Sequence, residues 1–350
     1  MTDFLKTSAA VALASLTLAS GAWAQQFKVI ELPLKKPAPS FDVASVGLSQ
    51  DGRAVVNKGS PGFAAEVCRV HSCKPVPRLA DAGGHVETFA NDVNELGDVV
   101  GRTTDHQHYR AYLLRDGVMT NLGTLAPDEK FMSEATAINV HGEVVGFGQV
   151  SKDDHDFRAF HWKDGVMTLL PTFGGPFTKA RDINDAGAIV GMSEIANDRP
   201  RAFIYSQGVM INLGTLGGSR SEAIAVNNLG DVAGVAELST QKRHAFRFRN
   251  GVMEDLGTLP HSDTSEALGI NDAGEVVGYS QMKRSHDYQD HAFFFDANGM
   301  HDLNTLLRPA DRSRYLIRQA HDINNQGDIA VEAVRSDTWE EVAVILKKID

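Results

Sequence analysis

The sequence predicts an all-β protein, a seven-bladed β-propeller of four-stranded antiparallel blades. Three observations carry this: a motif that recurs at a near-constant step, four β-type segments within each step, and unpaired half-blades at the two ends of the chain. The motif reads apolar-Asn-x-x-Gly-polar-apolar-apolar-Gly. It appears as Val93 to Gly101, Ile138 to Gly146, Ile183 to Gly191, Val226 to Gly234 and Ile270 to Gly278. A sixth copy, Ile323 to Val331, ends in Val, and a degenerate one, Leu48 to Gly52, comes first with Ser49 in place of Asn. The steps between Asn positions are 45, 45, 45, 43, 44 and 53 residues. A fixed period of this size marks a solenoid, propeller or array.

Each unit is then justified in order. Strand A is short and ends at the Asn motif, as in Ala135-Thr136-Ala137-Ile138. Asn-x-x-Gly is a turn, because Asn bonds back to the backbone and Gly accepts φ > 0. Strand B follows, as in Glu143 to Gly146. Strand C has an Ala-aromatic centre, as in Ala159-Phe160, Ala202-Phe203 and Ala245-Phe246. A hairpin turn such as Asp164-Gly165 or Asn250-Gly251 leads to strand D. Four short strands joined by hairpins in about 45 residues describe a propeller blade. No sustained 3.6-residue period competes, and Gly recurs too often within each unit for helices.

The ends fix the count. Phe27 to Leu32 looks like a strand D with no A, B or C before it, and Glu341 to Ile345 looks like a strand C with no D after it. The N-terminal strand is therefore expected to complete the last blade, which removes the open edges of the sheet array. The weakest unit covers residues 40–80; if it is not a blade, six blades is the alternative. Cys68 and Cys73 fall where Trp162 and Met167 flank a C–D turn, so they are expected to face each other across strands and form a disulfide.

Residues 1–24 read as a signal peptide. Lys6 precedes an apolar, small-residue stretch, and Ala22-Trp23-Ala24 fits a cleavage site. The expectation is one propeller domain over 25–350, secreted or periplasmic, with no membrane span in the mature chain, and monomeric. A net charge of −11 argues against nucleic acid as a partner.

Two copies carry His244-Ala245-Phe246 and His291-Ala292-Phe293, with Arg110, Arg158 and Arg201 in place of the His elsewhere; Leu213-Gly214-Thr215-Leu216 and Leu256-Gly257-Thr258-Leu259 form a second signature, and the Ile-Asn-x-x-Gly motif a third. Together these resemble the HAF repeat of bacterial extracellular repeat proteins, clearly over about residues 90–335. The resemblance implies an exported repeat protein and brings no catalytic motif with it.

Residues present in every copy are explained by the blade, and residues that break the pattern are free for other work. The B–C loops and D–A connections are longer and more varied than the A–B and C–D turns, so a site is expected at their end of the channel. Five residues before the Asn stand Glu134, Lys179, Glu222 and Glu266, expected to ring the channel mouth as a polar-ligand or cation site. The simpler account is solvated edge charges. The B–C loops hold groups able to ligate a divalent cation: Asp153, Asp154, His155 and Asp156 in one, His286, Asp287 and Asp290 in another. Neither has a recognised ligand spacing, and no other cofactor is expected. Phe131, Phe177, Tyr288 and Tyr315 are aromatic groups able to stack on sugars or on neighbours. Gly-x-Ser-x-Gly, His-Glu-x-x-His and phosphate-binding glycine loops are absent. The leading expectation is a non-enzymatic protein that binds a protein or glycan partner through its loop-rich face. The alternatives are a propeller hydrolase or lyase acting on extracellular polysaccharide, and a structural envelope-associated repeat protein.

Overall fold

The computed structural model describes residues 25–34, 43–59, 64–77, 87–105, 108–126, 131–152, 156–196, 199–284 and 287–349. It contains seven separate four-stranded antiparallel sheets, arranged as a seven-bladed propeller. Blade 3 shows the common pattern: strand A Ser133–Ile138, B Val144–Gln149, C Phe157–Lys163 and D Val166–Leu169. The weak first unit is a full blade, with strands Val43–Leu48, Ala54–Lys58, Ala64–Arg69 and Ser72–Pro75, so the six-blade alternative falls. The ring closes as the sequence indicates. Gln26–Glu31 pairs with Glu341–Ile349 and serves as strand D of blade 7.

The hairpins follow from local chemistry. Asp116, Asp164, Gln207 and Asn250 have φ between 51° and 54°, each followed by a Gly at positive φ. Two successive residues at positive φ are what a tight type I′ hairpin demands. Cys68 and Cys73 are register partners, bridged, with Cα atoms 4.0 Å apart. That separation belongs to the closer of the two antiparallel pair geometries. Trp162 and Met167 are the corresponding partners in blade 3.

The Ala-aromatic pair explains how blades stack. Seven apolar clusters lie between consecutive blades. In four of them the strand C Ala of one blade shares a cluster with the strand C Phe of the next: Ala111 with Phe160, Ala159 with Phe203, Ala202 with Phe246 and Ala245 with Phe293. A small side chain facing a large one lets adjacent twisted sheets interdigitate without voids. The motif's last Gly has a separate cause. A Cβ at Gly146 would sit 2.0 Å from the Glu134 carbonyl oxygen and 2.7 Å from the Phe160 ring.

Between blades 6 and 7 two short helices, α1 (Leu303–Leu306) and α2 (Pro309–Arg312), fill the step of 53 residues. Asp302 caps α1 by accepting from the Asn304 N–H. Asp311, in α2, accepts from the Val29 N–H and from Arg308, which ties the insertion to the closing strand.

The Asn of the motif does two jobs. Its Oδ1 accepts the N–H groups two and four residues on, as Asn139 does from His141 (3.1 Å) and Glu143 (3.0 Å). Its Nδ2 donates to the carbonyl of the equivalent Asn in the next blade. The links are Asn94 to Asn139 (3.1 Å), Asn139 to Asn184 (3.2 Å), Asn184 to Asn227 (2.8 Å), Asn227 to Asn271 (2.9 Å) and Asn271 to Asn324 (3.2 Å). Asn324 reaches the Ser49 carbonyl at 3.5 Å. Ser49 is too short to continue; its hydroxyl bonds to Asp51 instead. Asn57 takes over between blades 1 and 2 with two bonds to the Ala90 backbone, at 2.7 and 2.8 Å.

Asn139→Ala strips two turn N–H groups and one neighbouring carbonyl of their partners in a buried place. Its expected cost is about 2–3 kcal/mol in urea unfolding, at 1–3 kcal/mol for each orphaned buried group with partial relaxation. Leu96→Ala, at an exposed site in an equivalent turn, should change stability by less than about 0.5 kcal/mol.

Candidate functional site

The seven strands A line a channel along the ring axis. Each carries a β-bulge three or four residues before the Asn, as between Ala90 and Asp92 or Ala180 and Asp182. The bulge turns two consecutive residues toward the channel. In the blades that line the loop-rich cavity, these pairs include Asn91-Asp92, Thr136-Ala137, Arg181-Asp182, Ile224-Ala225 and His321-Asp322.

Two cavities lie in the channel among the described residues. One, of about 130 Å³, opens between the A–B turns and is lined by the Asn motif. The other, of about 310 Å³, lies toward the loop-rich end. Asp92, Asp182 and Asp322 line both, so they form the waist between them. Each carboxylate bridges two blades. Asp92 accepts the Val93 and Ile138 N–H groups, Asp182 those of Ile183 and Val226, and Asp322 those of Ile323 and Leu48, at 2.7–2.9 Å. The blade that receives the bridge has a small residue in the equivalent place: Ala137, Ala225 and Gly47. Burial pushes the three carboxyls up, to about 7 for Asp92, 6 for Asp182 and 8 for Asp322. The neighbouring carboxylates add to the rise, and the backbone N–H bonds offset part of it. His321, beside Asp322, is pushed down to about 4 by burial and is neutral at ordinary pH.

The residues expected at the channel mouth divide. Glu134 and Lys179 line the loop-rich cavity. Glu222 lines a neighbouring groove but accepts from Arg181 Nε at 2.5 Å, and Arg181 lines the cavity. Glu266 stands behind, between Arg243 (3.1 Å) and the Tyr279 hydroxyl (3.3 Å), and burial raises its pKa. Glu134 accepts from Asn91 (2.9 Å) and Arg102 (2.8 Å), and the Arg102 guanidinium lies over the Phe89 and Tyr109 rings. All three glutamates are therefore committed to an arginine.

Lys179 is different. No carboxylate lies within ion-pair distance of its amine among the described residues; Nζ sits 4.2 Å from the centre of the Phe147 ring. Burial, then the charge of Arg181, lowers its pKa to about 8. Phe147, Phe157 and Phe177 form a half-buried aromatic row beside it, with centroids 6.0 and 5.5 Å apart. Of the other aromatic candidates, Tyr315 is buried with its hydroxyl on Glu31 at 2.5 Å, and the Phe131 carbonyl accepts from Arg110 at 3.1 Å. The Tyr288 side chain lies outside the described residues.

The loop residues proposed for a cation are only partly visible. Asp153, Asp154, His155 and His286 lie outside the described residues, as does the Asp287 side chain. Asp156 stands 3.6 Å from Arg158, and Asp290 accepts from Gln319 at 2.7 Å. The three-ligand group found among the described residues is Glu66, Cys68 and Cys73, and its sulfurs are consumed by the disulfide. The His of the repeated triplet is engaged within its own blade: His244 and His291 each contact a strand D aspartate, Asp255 or Asp302, at 2.9 Å. No helix among the described residues is long and apolar enough to cross a membrane.

No family model and no curated protein sequence matches this chain. Solved structures do resemble it. A puromycin-hydrolyzing peptidase of Mycobacterium tuberculosis superposes with a TM-score of 0.56 at 10% identity, over 87% of this chain and 54% of the peptidase. The chain thus spans about half the length of that enzyme, and the likeness is one of propeller fold. A putative TolB of Agrobacterium tumefaciens gives a TM-score of 0.43 at 13% identity, over 93% of this chain and 99% of the other.

The raised carboxyls at the waist set a pH dependence of stability. A carboxyl whose folded pKa exceeds its unfolded value binds more protons when folded, so stability falls as pH rises between the two values. With unfolded values near 3.8 and folded values of about 6 to 8, the melting temperature should be higher at pH 5 than at pH 8.5. Thermal melts followed by circular dichroism across that range check it; a rise toward alkaline pH contradicts it.

Proposed function

We propose that this chain is an exported propeller of HAF-type repeats that binds an acidic glycan or a carboxylate-bearing protein partner at the loop-rich end of its channel. The observation that carries the reading is Lys179. It supplies an ammonium that lacks a carboxylate partner, at the wall of a cavity whose lining glutamate, Glu134, is already held by Arg102, while Glu222 and Glu266 nearby are held by Arg181 and Arg243. A half-buried cation with no carboxylate in contact favours a ligand that brings one. Asn91 and Thr136 donate to Glu134, Ala135 and Ala180, which leaves their oxygens to accept from sugar hydroxyls, and the row Phe147, Phe157, Phe177 adds a partly exposed apolar wall suited to a sugar face. Export rests on the residue 1–24 pattern and on the repeat resemblance.

A second reading, a lyase or hydrolase acting on an acidic polysaccharide, has one observation in its favour. Burial lowers the Lys179 amine at the cavity wall to about 8, and an amine that titrates near neutrality can serve as a general base.

The test is calorimetric titration of residues 25–350 with hexuronate oligomers and with neutral hexose oligomers of equal length. Acidic oligomers should bind, neutral ones should not, and Lys179→Gln should weaken binding at least about tenfold, the scale of one buried charge-assisted contact. Because Lys179 loses its proton as pH rises through about 8, affinity should fall between pH 7 and pH 9.5. Equal affinity for Lys179→Gln, or indifference to ligand charge, overturns the reading. Product appearing in the same mixtures would favour the second.

A further inference from the structure

The two places where blade 7 departs from the repeat meet in space. The helical insertion ends at Ser313-Arg314, and the B–C loop of blade 7 runs Ser336-Asp337-Thr338-Trp339-Glu340. Ser313, Arg314, Asp337 and Thr338 line a cavity of about 420 Å³ together with Glu31, Tyr315 and Arg335, and Trp339 is the next residue of the same loop. Among the described residues no other blade has a helical insertion, so the repeat does not account for this cavity.

Its frame is fixed. Arg335 donates to both oxygens of Glu31, at 3.0 and 2.5 Å, and to Glu340 at 2.6 Å. The Tyr315 hydroxyl also bonds to Glu31. The Ser336 N–H donates to the Arg314 carbonyl at 2.9 Å, and the Arg314 N–H donates to Asp311, itself clamped by Arg308. These bonds use up Glu31, Arg335 and Glu340 and join the loop to the insertion.

Against that frame stand four further side chains, of which Thr338 accepts the Glu340 N–H at 3.4 Å. The Arg314 guanidinium makes no hydrogen bond or ion pair among the described residues; it stands 5.3 Å from the Tyr315 ring centre. Ser313 and Thr338 present hydroxyls on the wall. Trp339 is 74% exposed and is held at φ 57° by its N–H bond to the Arg335 carbonyl at 2.9 Å. A bulky residue in the left-handed region costs about 1 kcal/mol or more, and such strain gathers at ligand clamps. An unpaired planar guanidinium binds carboxylates in a fixed geometry, and an exposed indole offers a face to a sugar ring.

We propose that this cavity is a second binding site, for a saccharide unit bearing a carboxylate. Arg314 takes the carboxylate, Ser313 and Thr338 meet ring hydroxyls, and Trp339 packs against the sugar face. The site shares its chemistry with the channel mouth but none of its residues, so either site can fail without the other.

Trp339 supplies the readout. Within residues 25–350 the other tryptophan is Trp162, so a Trp162→Phe background isolates its emission. Hexuronate oligomers should shift that emission to the blue with a saturable dependence, and neutral hexose oligomers should not. Arg314→Gln, at an exposed position, should keep the parent melting temperature and weaken the titration at least tenfold. Trp339→Ala should weaken the calorimetric affinity that remains in Lys179→Gln. The proposal is overturned if emission does not respond to hexuronate, if neutral oligomers respond equally, if Arg314→Gln titrates as the parent, or if Lys179→Gln alone abolishes the Trp339 response. A Trp339 response that survives Lys179→Gln supports a separate site, whatever becomes of the channel mouth.

Discussion

The structure depends on a belt of hydrogen bonds that runs around the channel from blade to blade. Apolar packing holds neighbouring sheets together, but it is tolerant of small rotations and does not by itself fix how many blades make a circle. The Asn ladder is directional. Each Nδ2 must find the next turn's carbonyl while the same side chain's Oδ1 holds its own turn. That ties the local shape of every A–B turn to the angle between blades. The carboxylates of Asp92, Asp182 and Asp322 add a second belt just inside the first, again from side chain to the next blade's backbone. Everything placed at the channel wall, including Lys179 and Arg181, inherits its position from these two belts.

The inner belt has an arithmetic constraint. An Asp needs a small neighbour to reach across, and the order around the ring is Gly47, Asp92, Ala137, Asp182, Ala225, Gly269, Asp322. Seven is odd, so large and small cannot alternate all the way round. Blades 5 and 6 carry the mismatch as two small residues side by side. A Cβ at Gly269 would come within 2.9 Å of the Asp322 Cα, so the crowding from blade 7 already fills that space.

Much of the fold was legible because it is local and repeated. Hairpin dipeptides, the Ala-aromatic centres and the orphan strands at Phe27 and Glu341 all announce themselves within a few residues, and even the disulfide followed from register. The channel was less legible, for a definite reason. Alternation along a strand assigns residues five and three before the Asn to one face and the residue two before it to the other. The bulge breaks that rule and sends Arg181 and Asp182, or His321 and Asp322, to the channel together. Glu134 and Lys179 lie beyond the bulge, where alternation still holds; Asn91, Arg181 and the three aspartates lie at or after it, where alternation misassigns the face. In sequence the Asn shows only its turn-forming role, since its partner is a whole repeat away. Helices of four residues leave no period to detect, so α1 and α2 showed only as a long step.

Closure by the first strand bears on the order of folding. In an open array each repeat rests on the one before it and structure can spread from any point. Here Gln26–Glu31 has its partner strand at Glu341–Ile349, so blade 7 cannot be completed until the last strand has been made. Joining ends separated by about 310 residues carries a chain-entropy cost of about 5 kcal/mol on simple loop-closure scaling. That cost is met in one late event, after the intervening blades have brought the ends near. The first strand must wait, unpaired, through the whole of synthesis, and the finished circle unfolds as one unit because no blade is terminal.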